Sequence, residues 1–222
     1  PNPLLVHLMY PKFSLYIKSS DLIFTPQHDN IRSQSNLVTT IGTPNQIKFL
    51  LKRNRNNKSD LEKPIISILI GGNHGRYKLQ KNHVNYIINT VVEKIKNKGS
   101  IIISTSRRTS NEVISLIDSF SKNNNLIKLL YHPNLDKKKN TIFDVLSPAD
   151  EIIVTGDSMS MVSEACSFNK PVRIYFNERI CSPKHLTLCK NLINKGYAFP
   201  FESLLKKCNV TKTLDTTRLI SK

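Results

Sequence analysis

Three short segments of the 222-residue chain carry residue types that could do chemistry. The first, Gly71-Gly72-Asn73-His74-Gly75-Arg76, directly follows an apolar run at 65–70. Glycines let backbone approach a ligand closely, and amides at a helix start attract anions, so a phosphate is the natural guest. The spacing matches neither G-x-G-x-x-G nor a P-loop, and a plain strand-to-helix turn fits it equally well. The second segment, Ser104-Thr105-Ser106-Arg107-Arg108-Thr109, sets two adjacent arginines beside hydroxyls. That suits a diphosphate, although one arginine could simply cover a rim. The third runs Thr155-Gly156-Asp157-Ser158-Met159-Ser160-Met161-Val162-Ser163-Glu164-Ala165. Asp157 or Ser158 would cap a helix there. Glu164 would share a helical face with Ser160, four residues earlier, and a carboxylate so placed could bind a ribose diol or stand in solvent.

These segments need elements to hold them. Residues 65–70 read as a strand buried on both faces of a parallel sheet. Val84, Ile87, Ile88, Val91, Val92 and Ile95 recur at three- and four-residue steps, predicting a helix that Gly99 ends. A strand at 101–103 and a helical stripe of Val113, Leu116, Ile117 and Phe120 come next. Further strands are expected at 126–130, 151–155 and 172–176, with helices near 142–146, 158–167 and 183–195. Strand and helix alternating over short connections give an α/β domain with a parallel sheet. In such sheets ligands bind beyond the carboxyl ends of the strands, where all three segments fall. Before this domain, residues 4–9, 22–25 and 37–41 read as short strands, and the polar stretch 52–63 reads as a linker.

Composition bounds the function. There are 33 Lys+Arg against 16 Asp+Glu, a formal charge of +17. Lysine supplies 24 of the cations and asparagine another 23 residues, a bias AT-rich codons produce and one that points to a bacterial source. The basic residues are scattered, and no basic stretch is interleaved with stacking aromatics, so nucleic acid is not the expected partner. An anionic membrane surface fits the charge better. No apolar run reaches the roughly 18 residues of a spanning helix. Cys166, Cys181, Cys189 and Cys208 form no C-x-x-C pair, and dispersed thiols fit a reducing, cytoplasmic compartment. His7, His83, His132 and His185 read as structural or surface residues, and Met159 and Met161 as helix packing. The chain opens on Pro1 and an apolar stretch, as a piece of a longer protein would.

The three segments in order, followed by Asn169-Lys170-Pro171-Val172, resemble the mitochondrial-fission Elm family. The likeness extends upstream to residues 22–29 and 39–43, and downstream to Lys184-His185 and residues 196–201. This family looks like the GT-B glycosyltransferases, in which two Rossmann-like domains face each other across a cleft. The resemblance implies that residues 1–50 end an incomplete N-terminal α/β domain and 51–63 link it to a nucleotide-sugar-binding domain at 64–201. Residues 202–222 would form a helical tail. By likeness to lipid-linked N-acetylglucosamine transferases, Gly71, Gly72 and Asn73 meet the diphosphate, Arg107 and Arg108 flank it, and Glu164 takes the ribose. Gly75, Arg76, Thr109, Asp157, Ser158, Ser160 and Met161 complete the implied site. Asp157-Ser158 departs from the Gly-Ala usual in such enzymes. His28, beside Asp29, is the visible candidate for general base.

The implied activity is transfer of a sugar from a nucleoside diphosphate sugar, the donor substrate, with no resident cofactor. No Asp-x-Asp pair occurs to bridge a metal. The alternative implied by the same resemblance is a non-catalytic adaptor peripheral to a membrane, in a bacterium the inner one. Nothing in the sequence sets an oligomeric state.

Overall fold

The computed structural model describes residues 4–11, 13–53, 59–96, 98–133, 142–208, 210 and 212–220. Its elements run β1 (Val6–His7), α1 (Ser14–Ser19), β2 (Leu22–Pro26), β3 (Leu37–Thr40), α2 (Ile47–Arg53), β4 (Ile65–Ile70), α3 (Lys81–Lys94), β5 (Ser100–Thr105) and α4 (Asn111–Asn123). They continue with β6 (Ile127–Tyr131), α5 (Ile142–Leu146), β7 (Glu151–Thr155), α6 (Met159–Ala165), β8 (Val172–Tyr175), α7 (Pro183–Asn194), β9 (Phe199–Pro200) and α8 (Thr216–Ile220).

Six parallel strands form the larger sheet in the order β6-β5-β4-β7-β8-β9. The two-residue period of a strand divides β4 between two cores. Ile66, Ile68 and Ile70 pack with Val84, Ile87, Ile88 and Val91 of α3. Ile65 and Leu69 pack with Val162 of α6 and with Leu188 and Leu192 of α7. Helices therefore cover both faces, which is why every residue of β4 is buried. Helix α3 stops at Lys94, and Lys96 takes the left-handed conformation (φ 50°) ahead of the expected stop at Gly99. Within β8 the apolar pattern is interrupted by Arg173, 1% exposed. It donates to Glu151 at the start of β7 and lies 4.7 Å over the Phe199 ring, so its charge is paired where it is buried. Cys166, Cys181 and Cys189 are buried free thiols, and burial pushes the Cys166 thiol up to about 12.

The chain runs outward from β4 to β6, then returns to β7 on the other side of β4. The carboxyl ends of β4 and β7 thus flank the topological switch point, the crevice where doubly wound sheets hold ligands.

The smaller sheet, β1-β2-β3, is also parallel. Its surroundings differ from expectation. The first strand is confined to Val6–His7 rather than 4–9, and residues 14–19 form α1. The first residues of the expected linker belong to α2, whose Ile47 is 2% exposed in the core of the larger sheet. Lys52 and Arg53, which read as linker, lie in the last turn of α2, where cations suit the helix dipole. The rest of that stretch, 54–58, lies outside the described residues. Of the tail, Thr216–Ile220 is helical, and the segment before it packs back as a strap. The Leu214 amide donates to the Cys166 carbonyl (2.8 Å) and the Thr216 hydroxyl to the Ile41 carbonyl (2.6 Å).

Candidate functional site

The loops after β4, β5 and β7 meet at the switch point. The Asn73 amide donates to the Arg108 carbonyl at 3.0 Å, and the Arg108 guanidinium returns a bond to the Asn73 carbonyl at 3.2 Å. Its other terminal nitrogen reaches the Asp157 carbonyl at 3.4 Å, so one arginine ties all three loops. Thr109 adds a bond from its hydroxyl to the Gly71 carbonyl.

The glycines are required by this packing. A Cβ on Gly72 would stand 2.1 Å from the Arg108 carbonyl carbon, and one on Gly71 would stand 2.1 Å from an Asp157 carboxylate oxygen. Neither backbone nor a buried carboxylate can yield by that much.

The expected cradle of open amides is not what the loop presents. The Gly71 N–H donates to Thr155 Oγ1 (2.8 Å), that of Gly72 to Asp157 Oδ2 (2.6 Å), and that of Asn73 to Arg108. Nor does the loop open a helix, because α3 begins only at Lys81, capped by Gln80 and His83. Positive charge at the crevice comes instead from Arg107 and Arg108, both exposed on the β5–α4 loop.

Asp157 is 1% exposed, and its Oδ1 has no hydrogen-bond partner among the described residues. Burial holds its pKa above the usual carboxylate range, opposed by bonds from Thr155 and Gly72 and by the Arg108 charge. Ser158 is the N-cap of α6 without a side-chain capping bond. Met161 packs against the core, whereas Ser160 is exposed. Glu164 is half-buried and accepts no hydrogen bond from a described side chain; burial pushes its pKa up to about 7. Gly75 and Arg76 fall outside this cluster. Gly75 sits in an exposed turn at φ 56°, and Arg76 lies on its neighbour Tyr77, 5.2 Å from the ring.

Across the crevice stands a helical turn at Gln27–Asp29, packed on the start of α7. His28 on this turn is 4% exposed and makes no hydrogen bond to a described residue. Burial lowers its pKa, partly opposed by Asp29 and reinforced by Lys184. Lys184 is ion-paired to Asp29 at 2.8 Å, which fixes the turn against α7.

Two residues outside the expected set join the site. His185 is buried, its Nδ1 2.6 Å from Ser182 Oγ, and its ring donates to the Asp157 backbone. Burial, then His74, Arg108 and His28, lower its pKa to about 4. His74, of the first loop, lies 5.4 Å from the His185 ring. The local signal for His185 is Ser182-Pro183-Lys184-His185: a cap residue, proline at the first helical position and a hydrogen-bonding side chain three residues after the cap.

A sequence profile described as Mitochondrial fission ELM1 matches residues 1–222. An uncharacterized protein of Rickettsia prowazekii (strain Madrid E) is 32% identical over 139 residues, which are 61% of this chain and 38% of that protein. Mitochondrial fission protein ELM1 of Arabidopsis thaliana is 23% identical over 227 residues, covering 90% of this chain and 52% of that protein. The chain thus spans about half or less of these relatives. A Staphylococcus aureus MnaA structure, solved with UDP, superposes with a TM-score of 0.50 at 15% identity, over 93% of this chain and 59% of that one. The likeness to it is one of fold, a GT-B-like arrangement of Rossmann-like parallel sheets.

Proposed function

This chain belongs to the mitochondrial fission ELM1 family, and on that premise we propose that it binds a nucleoside diphosphate sugar at the switch point and transfers the sugar to an acceptor. The observation that carries the reading is the convergence of three loops under Arg108, with Glu164 half-buried and its carboxylate accepting no hydrogen bond among the described residues. In this reading Arg107 and the unengaged N–H groups of Arg108 take the diphosphate, since the Gly71–Asn73 amides are occupied. Glu164 accepts the ribose hydroxyls, and those donors favour its ionised form.

Transfer is a direct displacement. The acceptor oxygen forms a bond to the anomeric carbon as the bond to the diphosphate breaks, and the hydroxyl proton passes to a base. His28 suits that role because its lowered pKa keeps it neutral near pH 7 and its ring is not engaged by the described protein. Charge developing on the leaving diphosphate falls to the arginines.

Calorimetric titration of the protein with UDP, GDP and their sugar conjugates tests this. Saturable binding lost in Glu164→Ala and Arg107→Ala supports it, with affinity rising as pH passes through about 7, where Glu164 ionises. No binding of any nucleotide would sink it. The +17 charge then favours the second reading, an adaptor held peripherally on an anionic membrane. No described helix is long and apolar enough to cross one.

A further inference from the structure

A second cleft lies away from the crevice, between the start of α3 and the loop after β8. One part, of about 590 Å³, is lined by Asn82, His83, Tyr86, Tyr175 and the 177–179 loop. It shares Glu178 and Arg179 with an adjoining part of about 430 Å³ that includes Arg76 and Lys78. The Lys78 amide donates to the Arg179 carbonyl at 3.4 Å, so the two rims are joined by backbone.

The floor is aromatic. The Tyr86 and Tyr175 rings lie 5.9 Å apart, and both meet Phe201, at 5.8 and 5.6 Å. Tyr86 keeps 49% of its surface exposed, an available face for a flat or apolar group. The rim is cationic: Arg76, Lys78 and Arg179 stand against the single carboxylate of Glu178, and none of the three cations is ion-paired among the described residues. His83 adds a fixed donor. Its Nδ1 accepts the Gln80 amide at 3.2 Å, which leaves the proton of the neutral ring on Nε2. A surplus of two positive charges matches a phosphate monoester, which carries about −1.5 to −2 at neutral pH, better than a carboxylate.

We propose that this cleft is a second ligand site, which takes a phosphate monoester borne on a ring or other apolar body, with the phosphate at Arg179 and Lys78 and the body on Tyr86 and Tyr175. It is independent of the nucleotide reading, because none of the proposed diphosphate or ribose contacts lines it.

Phenyl phosphate is the probe, titrated calorimetrically into the folded chain, with inorganic phosphate and phenol as the partial ligands. Phenyl phosphate is expected to bind saturably and each partial ligand at least about tenfold more weakly, a difference of about 1.4 kcal/mol. Arg179→Ala and Tyr86→Ala both weaken binding, whereas Glu178→Gln tightens it by removing a repelling charge from the rim. Saturating UDP leaves it unchanged. Displacement by UDP, equal binding of inorganic phosphate, or full binding by Arg179→Ala would each overturn the proposal. Glu164→Ala, which tests the nucleotide reading, has no effect here.

Discussion

Strands β2 and β4 are both interior strands of parallel sheets, yet their neighbours live in different surroundings. β5 and β7, beside β4, are buried at every residue. β1 and β3, beside β2, are largely exposed or half-buried, and Leu4, Leu8, Met9, Phe13 and Leu15 nearby are all more than half exposed. The larger sheet has helices on both faces and holds its carboxyl-end loops by its own core. The smaller sheet places His28 through attachments to the other body: the Lys184–Asp29 pair, the bond from the Thr43 amide to Ser163 Oγ (2.9 Å) and the returning strap. The two halves of the crevice are therefore positioned by different means. One is set by its own core and the other by attachments to that core.

The Arg173–Glu151 and Lys184–Asp29 pairs give the widest contrast. Arg173 and Glu151 are 1% and 7% exposed at their side chains, so Arg173→Ala leaves a buried carboxylate without its partner and is expected to cost about 3 to 5 kcal/mol. Denaturant unfolding measures it, and a loss below about 1 kcal/mol would mean that water reaches the pair. Next in size is Ile68→Ala, at the centre of β4 and fully buried, expected to cost about 2 to 5 kcal/mol. Val38→Ala on β3, 38% exposed, should stay within about 0.5 kcal/mol by the same measurement. Equal losses at the two positions would erase the distinction between the sheets.

The same contrast governs how much was legible. Ile65–Ile70 and Glu151–Thr155 announce themselves because burial on both faces imposes an apolar run, and α3 because its one buried face imposes apolar residues at three- and four-residue steps. Helices α1 and α2 do not, since Phe13, Leu15 and Phe49 are exposed and packing imposes no clear period on them. The three loops could be found from glycine, arginine and their place after strands. Their hydrogen-bond partners could not, because Gly72 to Asp157 and Asn73 to Arg108 are contacts across 85 and 35 residues. His185 escaped for a related reason: its neighbours His28, His74 and Asp157 come from three other segments.

Glu164 and His185 pull in opposite directions as pH changes. The folded Glu164 titrates near 7 against 4.5 for a free carboxyl, so its stabilising effect is complete below pH 4.5 and is lost as pH rises through about 7. That loss is about 2 kcal/mol after allowance for partial exposure. His185, lowered from 6.5 to about 4, stabilises above pH 6.5 and loses that effect as pH falls toward 4. Glu164→Gln removes the first effect only, so stability should climb with pH between about 4.5 and 6.5 more steeply than in the unaltered chain. Thermal unfolding across that range reads the difference, and parallel curves would mean that Glu164 is solvated.

A small energy attaches to the tie that matters most for His28. Lys184 is 58% exposed, so Lys184→Ala should cost no more than about 1 kcal/mol in global stability. Its structural consequence is larger than its energy, because Asp29 and His28 sit on a three-residue turn that the pair fixes against α7. Hydrogen exchange should therefore quicken at residues 27–30 and stay unchanged in β4 and β7, since local opening follows local contacts rather than the global free energy. If exchange at 27–30 is unaltered, the strap and the Thr43–Ser163 bond suffice to hold the turn without the Lys184–Asp29 pair.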